Sequence, residues 1–166
     1  KLNNGLGNLR TTRNKNLLLN YSADEIDTSN IEDVLDANKI SLVYSNSTKV
    51  YYEYNSDNKY YLRSTEIGPH VDYVTKEQYH FKNIIAYQVG NTTLNDGENK
   101  GRQEIDNVGS GKGYYFTDGK VIPIKWKKES RKSQTEYTLM DGTALKVNDG
   151  NTFIQIVPTS GSISWE

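Results

Sequence analysis

Apolar residues in this chain recur at every second position, in short runs separated by turn-forming residues. The clearest run covers residues 120–127, where Ile122, Ile124 and Trp126 alternate with proline and lysine. Alternation of this kind puts one set of side chains on each face of a strand, so it predicts a strand that is buried on one side. The pattern as a whole predicts a mostly β fold.

Asp-Gly pairs mark the turns in the second half of the chain. An Asp-Gly pair between alternating segments indicates a two-residue hairpin turn, because both residues tolerate the positive φ that this turn requires. Asp118-Gly119 and Asp141-Gly142 fit this description, and Asp149-Gly150 precedes a nearly continuous apolar strand that Pro158 ends. The strands predicted here are 113–116, 120–127, 135–140, 143–147 and 151–157.

The first half of the chain combines strands with one candidate helix. Ser29 or Asn30 is predicted to cap a short helix in which Ile31, Val34 and Leu35 share a face. The predicted strands are 40–44, 50–54, 60–63 and 84–89, and a polar loop follows over 90–102. The fold expected is mainly β with one or two short helices, its antiparallel hairpins forming a sandwich-like or curled sheet.

Residues 1–20 are interpreted as a tail or linker from an upstream domain, and 21–166 as the β domain. Leu2, Leu6 and Leu9 have helical spacing, but glycines interrupt them and a polar stretch follows. The chain begins with Lys rather than Met, so we expect it to start inside a longer protein. These twenty residues are not expected to join the core.

Composition excludes several classes of function. The formal net charge is −1, with 20 basic and 21 acidic residues, which is not the strongly basic balance of a general nucleic-acid binder. The absence of cysteine excludes disulfides, Cys-ligated zinc and a Cys nucleophile. With only two histidines, neither a metal nor another cofactor is predicted.

The first candidate for chemistry is the His-x-Asp formed by His70 and Asp72, directly after Gly68-Pro69. On a strand, two side chains at this spacing point the same way, so both could converge on a ligand, a metal or a shared proton. The alternative is a turn in which Asp72 caps a backbone amide while His70 packs on a tyrosine.

The second candidate is the glycine-rich run 109–113, which contains Ser110 and Lys112. A P-loop is excluded, because a Gly rather than Ser or Thr follows the lysine and a strand rather than a helix comes next. The run then either lets Lys112 and backbone amides meet an anion, or forms a bulge at the start of a strand. Arg102 and Asp106, upstream of the run, are expected to belong to a solvated charged strand edge.

The most basic stretch is Lys125-Trp126-Lys127-Lys128. Trp126 falls on the apolar face of its strand, so it is predicted to be core rather than a platform for stacking. The lysines are predicted to form a solvated face, with anionic wall polymers or lipid headgroups as possible partners.

Six short motifs follow one another along the chain: Gly68-Pro69-His70-Val71-Asp72, Lys82-Asn83-Ile84-Ile85, Asp106-Asn107-Val108-Gly109-Ser110-Gly111-Lys112-Gly113, Phe116-x-Asp118-Gly119-Lys120, Trp126-Lys127-Lys128 and Thr152-Phe153-Ile154-Gln155-Ile156-Val157-Pro158. Read in order, they resemble the carboxy-terminal domain of YerB-like bacterial lipoproteins, a family whose biochemical role is largely undefined. The resemblance spans residues 40–158. It implies a cell-surface protein of a Gram-positive bacterium, anchored by a lipidated Cys upstream of this chain and carrying an amino-terminal partner domain. It also implies that Arg102 and Asp106 lie beside the glycine run and could orient Lys112.

Two functions remain open. The favoured one is a non-catalytic, extracytoplasmic module that binds an envelope protein, a wall polymer or its own upstream domain, with the membrane contacted only through the lipid anchor. The alternative is an envelope hydrolase or transferase that uses His70, Asp72 and Lys112, completed by the missing domain. The two differ in a testable way, since the enzyme requires His70, Asp72, Asp106 and Lys112 to line one pocket.

Overall fold

The computed structural model of the chain describes residues 18–98 and 100–166, and all regular elements within them are strands. The mainly β prediction is therefore confirmed. In chain order the strands are β1 (Asn20–Ser22), β2 (Leu35–Asp36), β3 (Lys39–Ser45), β4 (Thr48–Asn55), β5 (Tyr60–Thr65), β6 (Gly68–Pro69), β7 (His80–Phe81), β8 (Asn83–Thr93), β9 (Gln103–Asp106), β10 (Gly109–Thr117), β11 (Lys120–Lys128), β12 (Glu136–Leu139), β13 (Lys146–Asn148), β14 (Thr152–Pro158) and β15 (Ser162–Trp165).

The larger sheet has the strand order β12-β11-β10-β8-β14, with β2 added to β11 and β9 added to β8. Its strand β8 is apolar from Ile84 to Tyr87, as expected for a strand with both faces buried. Ile84 and Ala86 belong to the core on one face, whereas Ile85 and Tyr87 belong to the core on the other. The sheet therefore forms the middle layer of the domain.

The smaller sheet covers one face of the larger one. It has the order β15-β3-β4-β5-β6, with β7 paired to β5. Ile40, Leu42 and Tyr52 point from it into a core shared with Phe116 of β10 and Val157 of β14. This two-sheet arrangement agrees with the predicted sandwich.

The other face of the larger sheet is covered by the parallel pair β1–β13 and by residues around Ile26 and Ile31. Leu19, immediately before β1, is only 6% exposed and lies in this second core. Residues 1–17, the greater part of the predicted tail, lie outside the described residues. The division at residue 20 stays a prediction.

The predicted hairpin around Asp118-Gly119 is present as β10 and β11. Their register runs from Gly109 opposite Lys128 to Thr117 opposite Lys120. Asp118 and Gly119 have φ values of 50° and 72°, as a two-residue turn of the primed type requires. The Asp-Gly pair together with the alternation of its flanking segments was sufficient to predict this element.

The second predicted hairpin is only partly formed. Around Asp141-Gly142, Leu139 N–H donates to Thr143 O at 2.8 Å and Leu145 N–H donates to Tyr137 O at 2.9 Å. The chain then leaves β12, and β13 pairs in parallel with β1 instead. A distant segment thus replaced the local partner.

The predicted helix over residues 29–35 is wrong, since the structure has turns there and no helix in any described residue. Asp33 has a φ of 58°, which is incompatible with a right-handed helix. Leu35 pairs with Val121 as part of β2, while Ile31 and Val34 pack on the second core. The helix-like spacing of these three apolar residues therefore belongs to an irregular segment that packs against the sheet.

Candidate functional site

His70 and Asp72 belong to a finger, residues 70–79, that connects β6 to β7 and projects from β5, the strand with which both pair. Both arms of the finger leave β5 at one residue, because Arg63 N–H donates to Tyr79 O at 2.8 Å and Arg63 O accepts from His70 N–H at 3.0 Å. A bridge between Val71 and Gln78 closes the finger further out. The sequence motif Gly-Pro-His-Val-Asp therefore builds the base of this projection.

Asp72 organises the tip of the finger. Its Oδ1 accepts from the backbone N–H groups of Val74 at 2.8 Å and Thr75 at 2.9 Å, and its Oδ2 accepts from the Tyr79 hydroxyl at 3.1 Å. These hydrogen bonds, led by that from Thr75, lower the pKa of the Asp72 carboxyl below its ordinary value. The capping role considered for Asp72 is the one that the structure has.

His70 packs on Tyr79, with ring centroids 4.6 Å apart, and its Nδ1 meets the Arg63 guanidinium. Partial burial, and after it the positive charge of Arg63, lower the pKa of His70. Arg63 also lies over the ring of Phe153, 5.7 Å from its centroid. A histidine in this position stays neutral more readily than a free one, and it serves to join the finger to the sheet.

The finger displays two large apolar side chains at its tip. Tyr73 is 86% exposed and Val74 is 83% exposed, and Lys76 Nζ lies 4.3 Å from the centroid of the Tyr73 ring. The hydrogen bonds of Asp72 hold the backbone beneath them, so the two side chains are presented on an ordered turn.

The glycine run forms the first half of β10, in agreement with the prediction that it starts a strand. A Cβ at Gly111 would lie 2.8 Å from Trp126 Nε1, and one at Gly113 would lie 2.9 Å from Tyr87 Cβ. These glycines let Trp126 and Tyr87 pack close to the backbone. Trp126 is 5% exposed and lies in the core, as predicted.

Ser110 and Lys112 are exposed side chains of the same strand. Strand alternation puts both on the face that carries Tyr114, opposite to the face of the glycines. Their cross-strand partners are basic, because Ser110 pairs with Lys127 and Lys112 with Lys125. Lys112 therefore contributes to an exposed basic face of the large sheet.

Between β9 and β10 the chain makes a large bulge opposite β8. Gly113 pairs with Tyr87, and Asp106 pairs with Gly90. Six residues, 107–112, therefore stand opposite only two residues of β8. The extra length separates β9 from β11 and opens a groove between them.

This β9 groove encloses a volume of about 910 Å³. Three of its apolar residues are notably exposed: Leu94 at 40%, Ile105 at 49% and Val108 at 40%. Its lining residues are Gly90, Asn91, Thr92, Leu94, Gln103, Glu104, Ile105, Asp106, Asn107, Val108, Lys128, Arg131 and Thr159. Apolar side chains beside amide and charged groups in an open groove are typical of ligand-binding surfaces.

Arg102 does not point to the glycine run. Its guanidinium forms ion pairs of 2.8 Å with both Asp96 and Glu98 across the loop that joins β8 to β9. The orienting role toward Lys112, implied by the resemblance, has no support in these contacts.

The six candidate residues are thus divided among different parts of the domain. His70 and Asp72 lie in the finger on the small sheet, Ser110 and Lys112 lie on β10, and Arg102 lies in the loop before β9. The β9 groove includes only Asp106 of the six. The sequence analysis did not identify Ile105 and Val108 as candidate site residues. The one sequence signal for them was that each is an apolar residue within a polar, charged stretch.

Three buried polar side chains, Asn83, Thr117 and Asn148, form a polar cluster inside the domain. Asn83 Oδ1 accepts from the Tyr115 hydroxyl at 2.7 Å, and Asn148 Nδ2 donates to Thr117 Oγ1 at 2.8 Å and to Asp118 Oδ2 at 2.7 Å. Burial is the main cause that raises the pKa of Tyr115 to about 12. Because the members satisfy one another, the cluster is structural.

Comparison with known proteins agrees with this architecture. Residues 40–154 match the family described as "Protein of unknown function (DUF3048) C-terminal domain". The chain belongs to this family. This match, together with the likeness to YerB in sequence and in structure, confirms the resemblance to the YerB-like family.

Two comparisons connect the chain to YerB of Bacillus subtilis. A protein of strain 168 named "Putative lipoprotein YerB" is 32% identical over 108 residues, which are 64% of this chain and 31% of that protein. The crystal structure of the YerB protein from Bacillus subtilis superimposes with a TM-score of 0.66 at 26% identity, covering 88% of this chain and 46% of that one. The chain spans less than half the length of these relatives.

Proposed function

We propose that this domain is a non-catalytic binding module of an extracytoplasmic, lipid-anchored protein, and that the β9 groove is its contact surface. The observation that carries the proposal is the groove itself, which leaves Ile105 and Val108 at 49% and 40% exposure among polar groups. Large exposed apolar side chains gathered in a concavity are typical of interaction sites. The expected partner is an envelope protein, a wall polymer or the upstream domain.

The proposed location derives from the relative named as a lipoprotein. A lipid anchor on a Cys upstream of this chain would hold the domain at the outer face of the membrane of a Gram-positive cell. In residues 18–98 and 100–166, no helix has the length and apolar character needed to cross a membrane.

Catalysis is the less favoured function, because the residues it would need have other contacts. Asp72 caps the finger, and His70 packs between Arg63 and Tyr79. Lys112 lies on an exposed strand face opposite Lys125. The geometry brings none of these residues to the groove.

The proposal is tested by binding of the purified chain to isolated wall sacculi and to solubilised envelope proteins. The groove variant Ile105→Ser/Val108→Ser removes apolar contacts that lie on the surface, so it is expected to fold while binding at least tenfold more weakly. The matched control is Ile67→Ser/Val71→Ser, which changes two aliphatic residues exposed at 99% and 44% on the other sheet.

Saturable binding that the groove variant loses and the control keeps supports the proposal. Absence of saturable binding to both fractions, or equal binding by wild type and groove variant, contradicts it. Circular dichroism and thermal melting of both variants separate loss of binding from loss of folding.

A further inference from the structure

Strand β9 has one open edge along the groove. Within residues 18–98 and 100–166 it pairs with β8 alone, and all four of its residues are exposed. Leu94 N–H donates to Arg102 O at 2.8 Å, so in an antiparallel ladder the residues bonded to β8 are 102, 104 and 106. The N–H and C=O groups of Gln103 and Ile105 therefore point away from β8. Among these four groups, the Ile105 C=O accepts from Asn107 N–H at 3.1 Å, so the Gln103 groups and the Ile105 N–H are the ones left for a new strand.

The side chains along this edge alternate in character. Ile105 is 49% exposed, and it is flanked in sequence by Glu104 and Asp106, which point to the opposite face. Neither carboxylate forms an ion pair with any described residue. The open edge thus presents one apolar side chain between two unneutralised acids.

The basic residues near this edge are already engaged or line the groove without pairing with its acids. Lys128 Nζ donates to the carbonyl oxygen of Ser133, and Arg102 is paired with Asp96 and Glu98. Arg131 lines the groove together with Lys128, but neither forms an ion pair with Glu104 or Asp106. No described basic side chain therefore pairs with Glu104 or Asp106, and both carboxylates are available to a ligand.

A second copy of this chain is a poor partner for the edge. An antiparallel pair of two β9 strands centred on Ile105 would put Glu104 of each copy opposite Asp106 of the other. A pair centred on Glu104 would put two Glu104 carboxylates opposite each other. Like charges in directly opposed positions destabilise a sheet, so the register centred on Ile105 is disfavoured. Registers centred on Glu104 or Gln103 would need Arg102 of one copy to meet an acid of the other. That guanidinium is already paired with Asp96 and Glu98.

We propose that the β9 edge binds an extended peptide segment of another protein in which basic and apolar residues alternate. The segment adds as a strand, its backbone pairing with Gln103 and Ile105, its apolar side chain covering Ile105 and its basic side chains meeting Glu104 and Asp106. The proposal rests on the β9 groove being the binding surface of the domain, and it specifies the ligand class.

The charged edge is compatible with strand addition of this kind. Charges on an edge strand normally prevent uncontrolled pairing. When all charges that flank the edge have one sign, they reject acidic and self-complementary strands while they attract basic ones. Glu104 and Asp106 therefore favour a partner strand that carries basic side chains.

The probe is an acetylated and amidated peptide, Lys-Val-Lys-Val-Lys, titrated into the full chain and followed by NMR. The expected result is saturable shifts at Gln103 and Ile105, slower exchange of their amide protons, and weaker binding at higher salt. Glu-Val-Glu-Val-Glu and the block peptide Lys-Lys-Lys-Val-Val are expected to bind at least tenfold more weakly.

Two variants test the mechanism. Glu104→Gln/Asp106→Asn is expected to weaken Lys-Val-Lys-Val-Lys binding about tenfold. Ile105→Pro removes an outward N–H without removing a β8 hydrogen bond, so it is expected to abolish the amide protection at Gln103. Ile105→Val is the matched control, since it keeps the N–H and the branched side chain.

Several results would overturn the proposal: equal binding of the acidic and basic peptides, shifts located away from β9, or full binding by Ile105→Pro. If the basic peptide fails while Ile105→Ser/Val108→Ser still loses binding to sacculi or envelope proteins, the peptide class is wrong and the module function stands. If that variant also binds sacculi and envelope proteins like wild type, both proposals fail.

Discussion

His70 and Asp72 show how a chemically suggestive pair is used for structure. The Asp72 oxygens are occupied by two backbone amides and a tyrosine hydroxyl, and His70 is held between an aromatic ring and a guanidinium. A carboxylate with three donors is a cap, because little of its hydrogen-bonding capacity remains for a substrate. The result of this arrangement is an ordered finger that carries Tyr73 and Val74.

The His70–Arg63 contact predicts a measurable titration. We expect His70 to titrate below its usual value of 6.5, and Arg63→Gln to raise that pKa only in part, because burial is the larger cause. The pKa of His70 is lower in the folded protein than in the unfolded chain, so the folded protein binds fewer protons. The contribution of His70 to stability is therefore lost as the pH falls from about 6.5 through the folded-state pKa.

The measurement is an NMR titration of the His70 ring, with Lys76→Gln as control. Lys76 lies in the same finger but its Nζ is over Tyr73, so its removal is expected to leave His70 unchanged. A pKa that stays the same in Arg63→Gln would show that the guanidinium does not act on the ring.

At the scale of elements, the strand β10 depends on small residues as much as on turn chemistry. Its Asp-Gly turn determines the register with β11, while Gly111 and Gly113 let Trp126 and Tyr87 pack against its backbone. The bulge that follows from the different registers of β9 and β10 creates the β9 groove. The same stretch of chain therefore closes one core and opens a binding surface.

Gly113→Ala is expected to destabilise the domain by about 1–3 kcal/mol, the usual effect of overpacking a core. The added Cβ would be 2.9 Å from Tyr87 Cβ and 3.0 Å from the Ala86 carbonyl oxygen, and a backbone atom cannot easily move away. Gly90→Ala is the control, because its Cβ would have a 3.8 Å contact with Asp106 Cβ and the effect should stay within about 0.5 kcal/mol. Urea denaturation compares the two, and equal midpoints would contradict the packing argument.

At the scale of the whole molecule, three layers are joined at one end of β8. Lys82, 8% exposed, forms an ion pair with Asp118 of the β10–β11 turn. Asp118 also accepts from Asn148 of β13, and Asn148 Oδ1 accepts from Ile26 N–H at 2.8 Å. This network ties the segment before β2 to the central sheet.

Lys82→Ala is expected to lower the unfolding free energy by about 2–3 kcal/mol, because it leaves the largely buried Asp118 without its cation. Lys120→Ala is the matched control: its ion pair with Asp36 is exposed at 43% and 73%, so its loss should cost about 1 kcal/mol or less. Thermal and urea unfolding of both variants measure the difference. A loss in Lys82→Ala no greater than that in Lys120→Ala would show that the network contributes little.

The features of this fold that depend on local chemistry could be predicted from the amino-acid sequence. The alternation around Ile122 and Trp126, the positive φ at Asp118-Gly119 and the family motifs all predicted elements that the structure contains. The capping of a turn by Asp72 was also among the interpretations that the residues allowed. These features depend on neighbours within a few positions, so their physical causes can be read along the chain.

The pairing of segments that are distant in sequence could not be predicted, because it depends on packing in the folded domain. No local sequence signal shows that β14 pairs with β8 in parallel rather than antiparallel. Similarly, no local signal shows that β13 leaves its hairpin with β12 and pairs with β1. The β9 groove arises because residues 107–112 stand opposite two residues of β8, a mismatch between registers set more than a dozen residues apart. Backbone hydrogen bonds between strands do not depend on side-chain identity, so packing between the layers determines which strands pair. The resulting registers leave Ile105 exposed.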